Sequence, residues 1–152
     1  MFFEKQSLSP AVQYVVGFSG IFSFAVIILA FRNYMGLTPS DRAILVISSV
    51  AVASIFALVV SLRMHTTVSD GSLKIRFWPF SRLTIPIADV KQSEIIQYDP
   101  LSDFGGWGVR PGLGGIIYSM RGRSAVKIVR NGGSLIYIGT RKPEELLQSI
   151  RD

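Results

Sequence analysis

The chain has 152 residues, of which 49% are hydrophobic and only 17% are charged, whereas a soluble domain is about one quarter charged. It contains no cysteine and a single histidine, His65. This composition excludes disulfides, thiolate metal centres, cysteine nucleophiles and sites built on paired histidines. We therefore expect no metal and no cofactor. The formal net charge is +6, and the length allows one domain, or a small domain with an additional segment.

Two uncharged runs, residues 11–31 and 43–62, dominate the first half of the chain. A helix rises 1.5 Å per residue, so each run is about 30 Å long, which matches the hydrocarbon core of a bilayer. The runs predict two transmembrane helices, since the remaining chain is too small to bury two helices that are apolar on all sides. A cleaved signal peptide is the alternative for the first run. Because that run is longer than a signal peptide requires, we expect it to be retained.

The link at residues 32–42 is too short for anything but an antiparallel helical hairpin, which we assign to residues 1–63. The flanking basic residues predict its orientation, because cytoplasmic flanks are enriched in lysine and arginine. The link carries Arg32 and Arg42. The other side carries Lys5, Arg63, Lys74, Arg76 and Arg82. We therefore expect an integral protein of the inner or plasma membrane with both termini in the cytoplasm.

From residue 64 onward the hydrophobic period becomes two, which is typical of β-strands. Seven strands are predicted, at residues 65–68, 73–78, 82–87, 94–98, 116–120, 125–130 and 135–139. A final helix follows Pro143, with an apolar stripe formed by Leu146, Leu147 and Ile150. We expect an all-β barrel of seven antiparallel strands over residues 64–152, with Ile85, Ile128 and Ile136 in its core and the helix closing one end.

Three segments of this domain carry a resemblance to a known family: LTIPIADV at residues 83–90, FGGWGVR at 104–110 and GTRKPEEL at 139–146. The chain resembles small bacterial membrane proteins in which two helices precede a bacterial pleckstrin-homology (PH)-like domain. The resemblance covers residues 64–152, with the hairpin as its usual partner. It implies a binding or scaffolding module and brings no catalytic residues.

Enzymatic motifs are lacking from the sequence. Neither G-x-S-x-G nor a Walker A loop occurs, and the segment from Gly106 to Pro111 begins like G-x-G-x-x-G but fails at its sixth position. Asp99 and Asp103 could together bind a cation or could simply be solvated loop charges. His65, at the start of a strand, could orient a carboxylate or have no role. We expect a protein that is not an enzyme.

The unusual feature is a glycine-rich stretch at residues 101–115 that contains Phe104, Trp107 and Arg110. Either it is a partner surface, with Trp107 as an apolar anchor and Arg110 as an anion contact, or Phe104 and Trp107 plug the barrel. Arg121 and Arg123 share a nearby turn, and a net positive domain at a membrane attracts anionic lipids. The candidate binding residues are thus Phe104, Trp107, Arg110, Arg121 and Arg123.

These features predict an integral membrane protein whose cytoplasmic domain binds a membrane-protein partner or a lipid headgroup. The alternative is a structural accessory subunit of a larger membrane complex, held through small residues on its helices, namely Ser19, Ser23, Ser49, Ala53 and Ala57. No recognition helix is visible, so we do not expect nucleic acid as a partner.

Overall fold

The computed structural model describes residues 1–33 and 38–152, and these form two compact units. One unit, which we call the helical unit, is Ser9–Ser61. The other, which we call the β unit, combines Met1–Leu8 with Leu62–Asp152. The sequence-based division at residue 63 therefore needs a correction at the N-terminus, because residues 1–8 belong to the β unit and not to the helical hairpin.

The helical unit consists of α1 (Pro10–Asn33) and α2 (Pro39–Ser61). By length and composition, both are able to cross a membrane. They pack against each other where Gly20 meets the ring of Phe56, since a Cβ at residue 20 would lie 2.7 Å from that ring. The predicted link at residues 32–42 is partly helical, and residues 34–37 lie outside the described part of the chain.

A strand that the sequence did not predict, β1 (Phe2–Ser7), precedes the helices and pairs antiparallel with β2 (Arg63–Ser69), which follows them. Its inward residues include Glu4 and Gln6, so the alternating hydrophobicity that marks a half-buried strand is missing. Because β1 and β2 are neighbours in one sheet, β1 and the rest of the β unit lie on the same side of any membrane that the two helices cross.

The first sheet has the order β1-β2-β3-β4, all antiparallel, with β3 at Ser72–Trp78 and β4 at Ser81–Pro86. Asp70 and Gly71 form the β2–β3 turn with φ of 51° and 64°. Positive φ at both central positions is what a tight type I′ hairpin requires, as the Asp-Gly pair predicts.

The second sheet contains β5 (Val90–Gln97), β6 (Gly108–Gly112), β7 (Gly115–Ser119), β8 (Ser124–Arg130) and β9 (Leu135–Gly139). Its order is β5-β8-β9-β7-β6, and β7 pairs with β9 in parallel. The expected closed barrel of seven antiparallel strands is therefore wrong in three respects. The described residues hold nine strands, the sheets do not close, and one pairing is parallel.

All seven predicted strands are present, and the difference comes from β1 and β6. Pairing partners depend on contacts between distant segments, and the local period of two does not encode them. The buried core includes Ile85, Ile128 and Ile136, as predicted. Leu146 and Ile150 of α4 (Pro143–Arg151) are also buried there, at 0% and 4% exposure, so the C-terminal helix is part of the core.

Candidate binding surfaces

Phe104 belongs to the interior of the β unit and not to its surface. It ends the short helix α3 (Pro100–Phe104), is 5% exposed, and packs edge-on against Tyr98 and Tyr137 at ring-centroid distances of 5.6 and 5.3 Å. Gly112 of β6 lies so close to this ring that a Cβ there would meet it at 2.7 Å. Of the two interpretations of the glycine-rich stretch, the structural one therefore describes Phe104.

The carboxylates of Asp99 and Asp103 are used to hold α3. Asp99 accepts hydrogen bonds from the backbone amides of Leu101 (2.9 Å) and Ser102 (3.2 Å), and Asp103 accepts one from the amide of Asp99 (2.8 Å). The amide bonds to the Asp99 carboxylate lower its pKa, because they favour the charged form. These carboxylates act as helix caps.

Trp107 remains at the surface, 41% exposed, and its indole Nε1 donates a 3.3 Å hydrogen bond to the carbonyl of Gly122. Gly122 lies between Arg121 and Arg123, so this bond joins the glycine-rich stretch to the basic turn. Gly106, Gly108 and Gly122 have φ of 122°, 119° and 89°, which other residues rarely adopt. These glycines let the backbone bring Trp107 against the turn.

The arginines predicted as binding residues are Trp107's own hydrogen-bond partner, Arg110, and the two residues that flank Gly122 in the turn. Arg110 is exposed and donates from Nε to the carbonyl of Trp107 at 3.4 Å. Arg123 lies 3.9 Å from Asp99, and its side chain is 75% exposed, so the pair is screened by water. The half-buried Arg121 has no hydrogen-bond partner for its Nε among the described residues. We call Trp107, Arg110, Arg121 and Arg123 the Trp107 surface.

A second charged feature, which the sequence analysis missed, crosses the outer face of the first sheet. Lys5 lies opposite His65, His65 opposite Arg76, and Arg76 opposite Arg82, one residue from each strand. We call these four residues the basic row. The four residues come from four separate segments of the sequence, and one of these, β1, was not predicted as a strand. The row could therefore be recognised only once the register of the strands was known.

The rest of that face is also free of acidic side chains. Besides the row itself, its outward positions include Phe3, Ser7, Arg63, Thr67, Lys74, Trp78 and Thr84. A shallow groove runs over it, lined in part by Phe3, His65, Lys74, Arg76 and Arg82. Partial burial lowers the pKa of His65, and the positive charges of Lys5, Arg76 and Arg63 lower it further.

Among the described residues, no group of three or more histidine or carboxylate side chains is placed to hold a metal ion. Comparisons with family models, curated proteins and solved structures return no match for this chain.

Proposed function

We propose that the chain is an integral protein of the inner or plasma membrane whose β unit, on the cytoplasmic side, is a non-enzymatic binding module for a membrane-protein partner. Two apolar helices of membrane-spanning length support the insertion. The excess of basic residues outside the hairpin link supports a cytoplasmic position for both termini. Two sheets with a packed C-terminal helix agree with a PH-like domain, whereas the parallel β7–β9 pair departs from the usual antiparallel succession.

The observation that carries the proposal is the hydrogen bond from Trp107 to Gly122, which places the half-exposed indole against the turn that carries Arg121 and Arg123, while Arg110 is bonded to the Trp107 carbonyl. Tryptophan and arginine are the side chains most enriched among residues that dominate protein–protein binding energy. Arg110 and Arg123 project charge beside a half-exposed indole, so the surface suits an acidic partner segment with an apolar side chain.

Native gel electrophoresis of detergent-solubilised membranes tests this proposal with the full chain. The variant Trp107→Ala/Arg110→Ala should lose co-migration with a partner. The control Ile95→Ala/Lys91→Ala removes one exposed apolar side chain and one cation from β5, and it should keep the partner. Retention of the complex by the first variant would overturn the role of the Trp107 surface.

The same experiment addresses the accessory-subunit alternative. Ser19 and Ala53 are exposed on the helical unit, where small side chains permit close approach of another helix. If Ser19→Leu/Ala53→Leu abolishes co-migration while the Trp107→Ala/Arg110→Ala variant keeps it, the chain is held in its complex through its helices.

A further inference from the structure

The basic row should destabilise the first sheet unless an anion from outside the chain neutralises its positive charge. Like charges directly opposite each other on neighbouring strands destabilise a sheet. Here Lys5, Arg76 and Arg82 occupy one row around His65, and the outward positions of all four strands include no carboxylate. The described ion pairs lie elsewhere in the unit, at Asp89, Glu94, Asp99 and Glu145. Within the described part of the chain, no ion pair supplies a counter-charge to the row.

The position of the row along the chain indicates which anion is at hand. Ser7 ends β1 and is followed after two residues by α1, while Arg63 begins β2 one residue after α2. Ser7 and Arg63 are paired with each other, and the basic row lies two residues further along each strand, about 7 Å away. The row is thus close in sequence to both predicted membrane spans.

Aromatic side chains occupy the same end of this sheet. Trp78 is directly opposite Arg63 and is 48% exposed, and Phe80, in the following turn, is 66% exposed. Tryptophan is enriched where a protein meets the bilayer interface, because its ring is apolar and its N–H is polar. From the strand ends that join α1 and α2, the exposed aromatic pair comes first and the row of cations second. The acyl chains and the headgroup phosphates of a leaflet follow one another in the matching order.

We propose that the outer face of the first sheet binds the headgroups of anionic phospholipids through Lys5, His65, Arg76 and Arg82. Adjacent strands are about 4.8 Å apart, so the row extends over roughly 14 Å. Arginine side chains can bind a phosphate in bidentate fashion. In the groove beside the row, the ring of Phe3 lies tilted against His65 with the ring centroids 6.0 Å apart, on the side of the row away from α1 and α2, and gives the imidazole an apolar contact. This site depends on the proposed membrane insertion but not on the Trp107 surface.

The two tryptophans of the chain allow a direct test. In a Trp107→Phe background, Trp78 is the sole tryptophan and reports on the face that carries the row. The chain of 152 residues is reconstituted into nanodiscs that contain phosphatidylglycerol and phosphatidylcholine at equal mole fraction. In one preparation the phosphatidylglycerol, and in the other the phosphatidylcholine, carries bromine near the headgroup end of its acyl chains. Stronger quenching of Trp78 by the brominated phosphatidylglycerol is expected, and salt should weaken the difference.

Charge variants assign that preference to the row. Arg76→Gln/Arg82→Gln should lower the preference for phosphatidylglycerol by up to about 25-fold, at about five-fold per cation removed. Arg76→Lys/Arg82→Lys keeps the charges and should keep most of the preference. The matched control Lys91→Gln/Arg141→Gln removes two exposed cations from other parts of the unit and should leave the preference unchanged.

Equal quenching by both lipids, or a preference that survives Arg76→Gln/Arg82→Gln, would overturn the proposal. Failure of membrane insertion itself has a different signature, because Trp78 would then be quenched by neither lipid and the chain would not enter the nanodiscs.

Discussion

The carboxylate of Glu4 accepts hydrogen bonds from the hydroxyl of Thr140 at 2.5 Å and from the backbone amide of Arg141 at 3.1 Å, across 136 and 137 residues of chain. Beside it, the Gln6 amide donates to the carbonyl of Gly139 at 2.9 Å. These bonds attach the first strand to the segment that leads into the last helix. The first strand and the segment before α4 are therefore held together within the β unit.

This attachment predicts that Glu4→Ala destabilises the β unit by about 1–3 kcal/mol, because the substitution leaves a buried hydroxyl and amide without their acceptor. Glu144→Ala, at an exposed carboxylate of α4, should change the free energy of unfolding by less than about 0.5 kcal/mol. Denaturant unfolding of the full chain in detergent, followed by tryptophan fluorescence, measures both. Equal effects of the two substitutions would contradict the role of Glu4.

The C-terminal helix should be indispensable. Leu146 is fully buried, so Leu146→Ala is expected to cost about 2–5 kcal/mol, whereas Gln148→Ala on the exposed side of the same helix should have little effect. Deletion of residues 143–152 should prevent cooperative unfolding altogether. A truncated protein with an unchanged unfolding midpoint would show that the helix does not support the core.

Two aromatic residues three positions apart should respond in opposite ways. Phe104→Ala should lower stability by about 3–5 kcal/mol, because it removes a ring that is buried between two tyrosines. Trp107→Ala should affect stability much less and partner retention much more, since the indole is 41% exposed. Thermal unfolding and native electrophoresis of the same two variants separate these effects. The reverse order would make Trp107 a structural residue.

Membrane orientation can be read from single cysteines, since the chain has none of its own. With an impermeant thiol reagent applied from outside, Ser40→Cys in the first turn of α2 should be labelled in intact cells. Lys5→Cys and Gly132→Cys should react only after the membrane is opened. Labelling of Lys5→Cys and Gly132→Cys on opposite sides of the membrane would contradict the pairing of β1 with β2.

The stability of the β unit should depend on the protonation of His65. Its pKa is lowered in the folded state from the ordinary 6.5, by partial burial and by Lys5, Arg76 and Arg63, so the unfolded chain binds the proton more tightly. The free energy of unfolding should therefore fall as the pH drops below 6.5, and rise as the pH is raised through that window. His65→Gln should flatten this part of the profile. Unfolding curves at several pH values between about 5 and 8 measure the slope, and an unchanged slope would contradict the assignment.

The sequence alone predicted the elements whose local pattern is strong. Two uncharged runs of about 20 residues marked α1 and α2, alternating side chains marked seven strands, and Pro143 with its apolar stripe marked α4. The core positions Ile85, Ile128 and Ile136 followed from the same alternation. Each of these signals arises within a few residues, because it depends only on which side of an element is apolar.

Only the tertiary structure decided the features that depend on contacts between distant segments. The sequence did not predict β1, because its inward positions carry the polar Glu4 and Gln6. Their hydrogen-bond partners, which make this burial possible, lie more than 130 residues away. The hydrogen bond from Trp107 to Gly122 joins the glycine-rich stretch to the basic turn, whereas packing against Tyr98 and Tyr137 places Phe104 in the core. The basic row is formed by the register of four strands. The sequence does not show which charged residues become neighbours across a sheet, because that depends on how the strands pair.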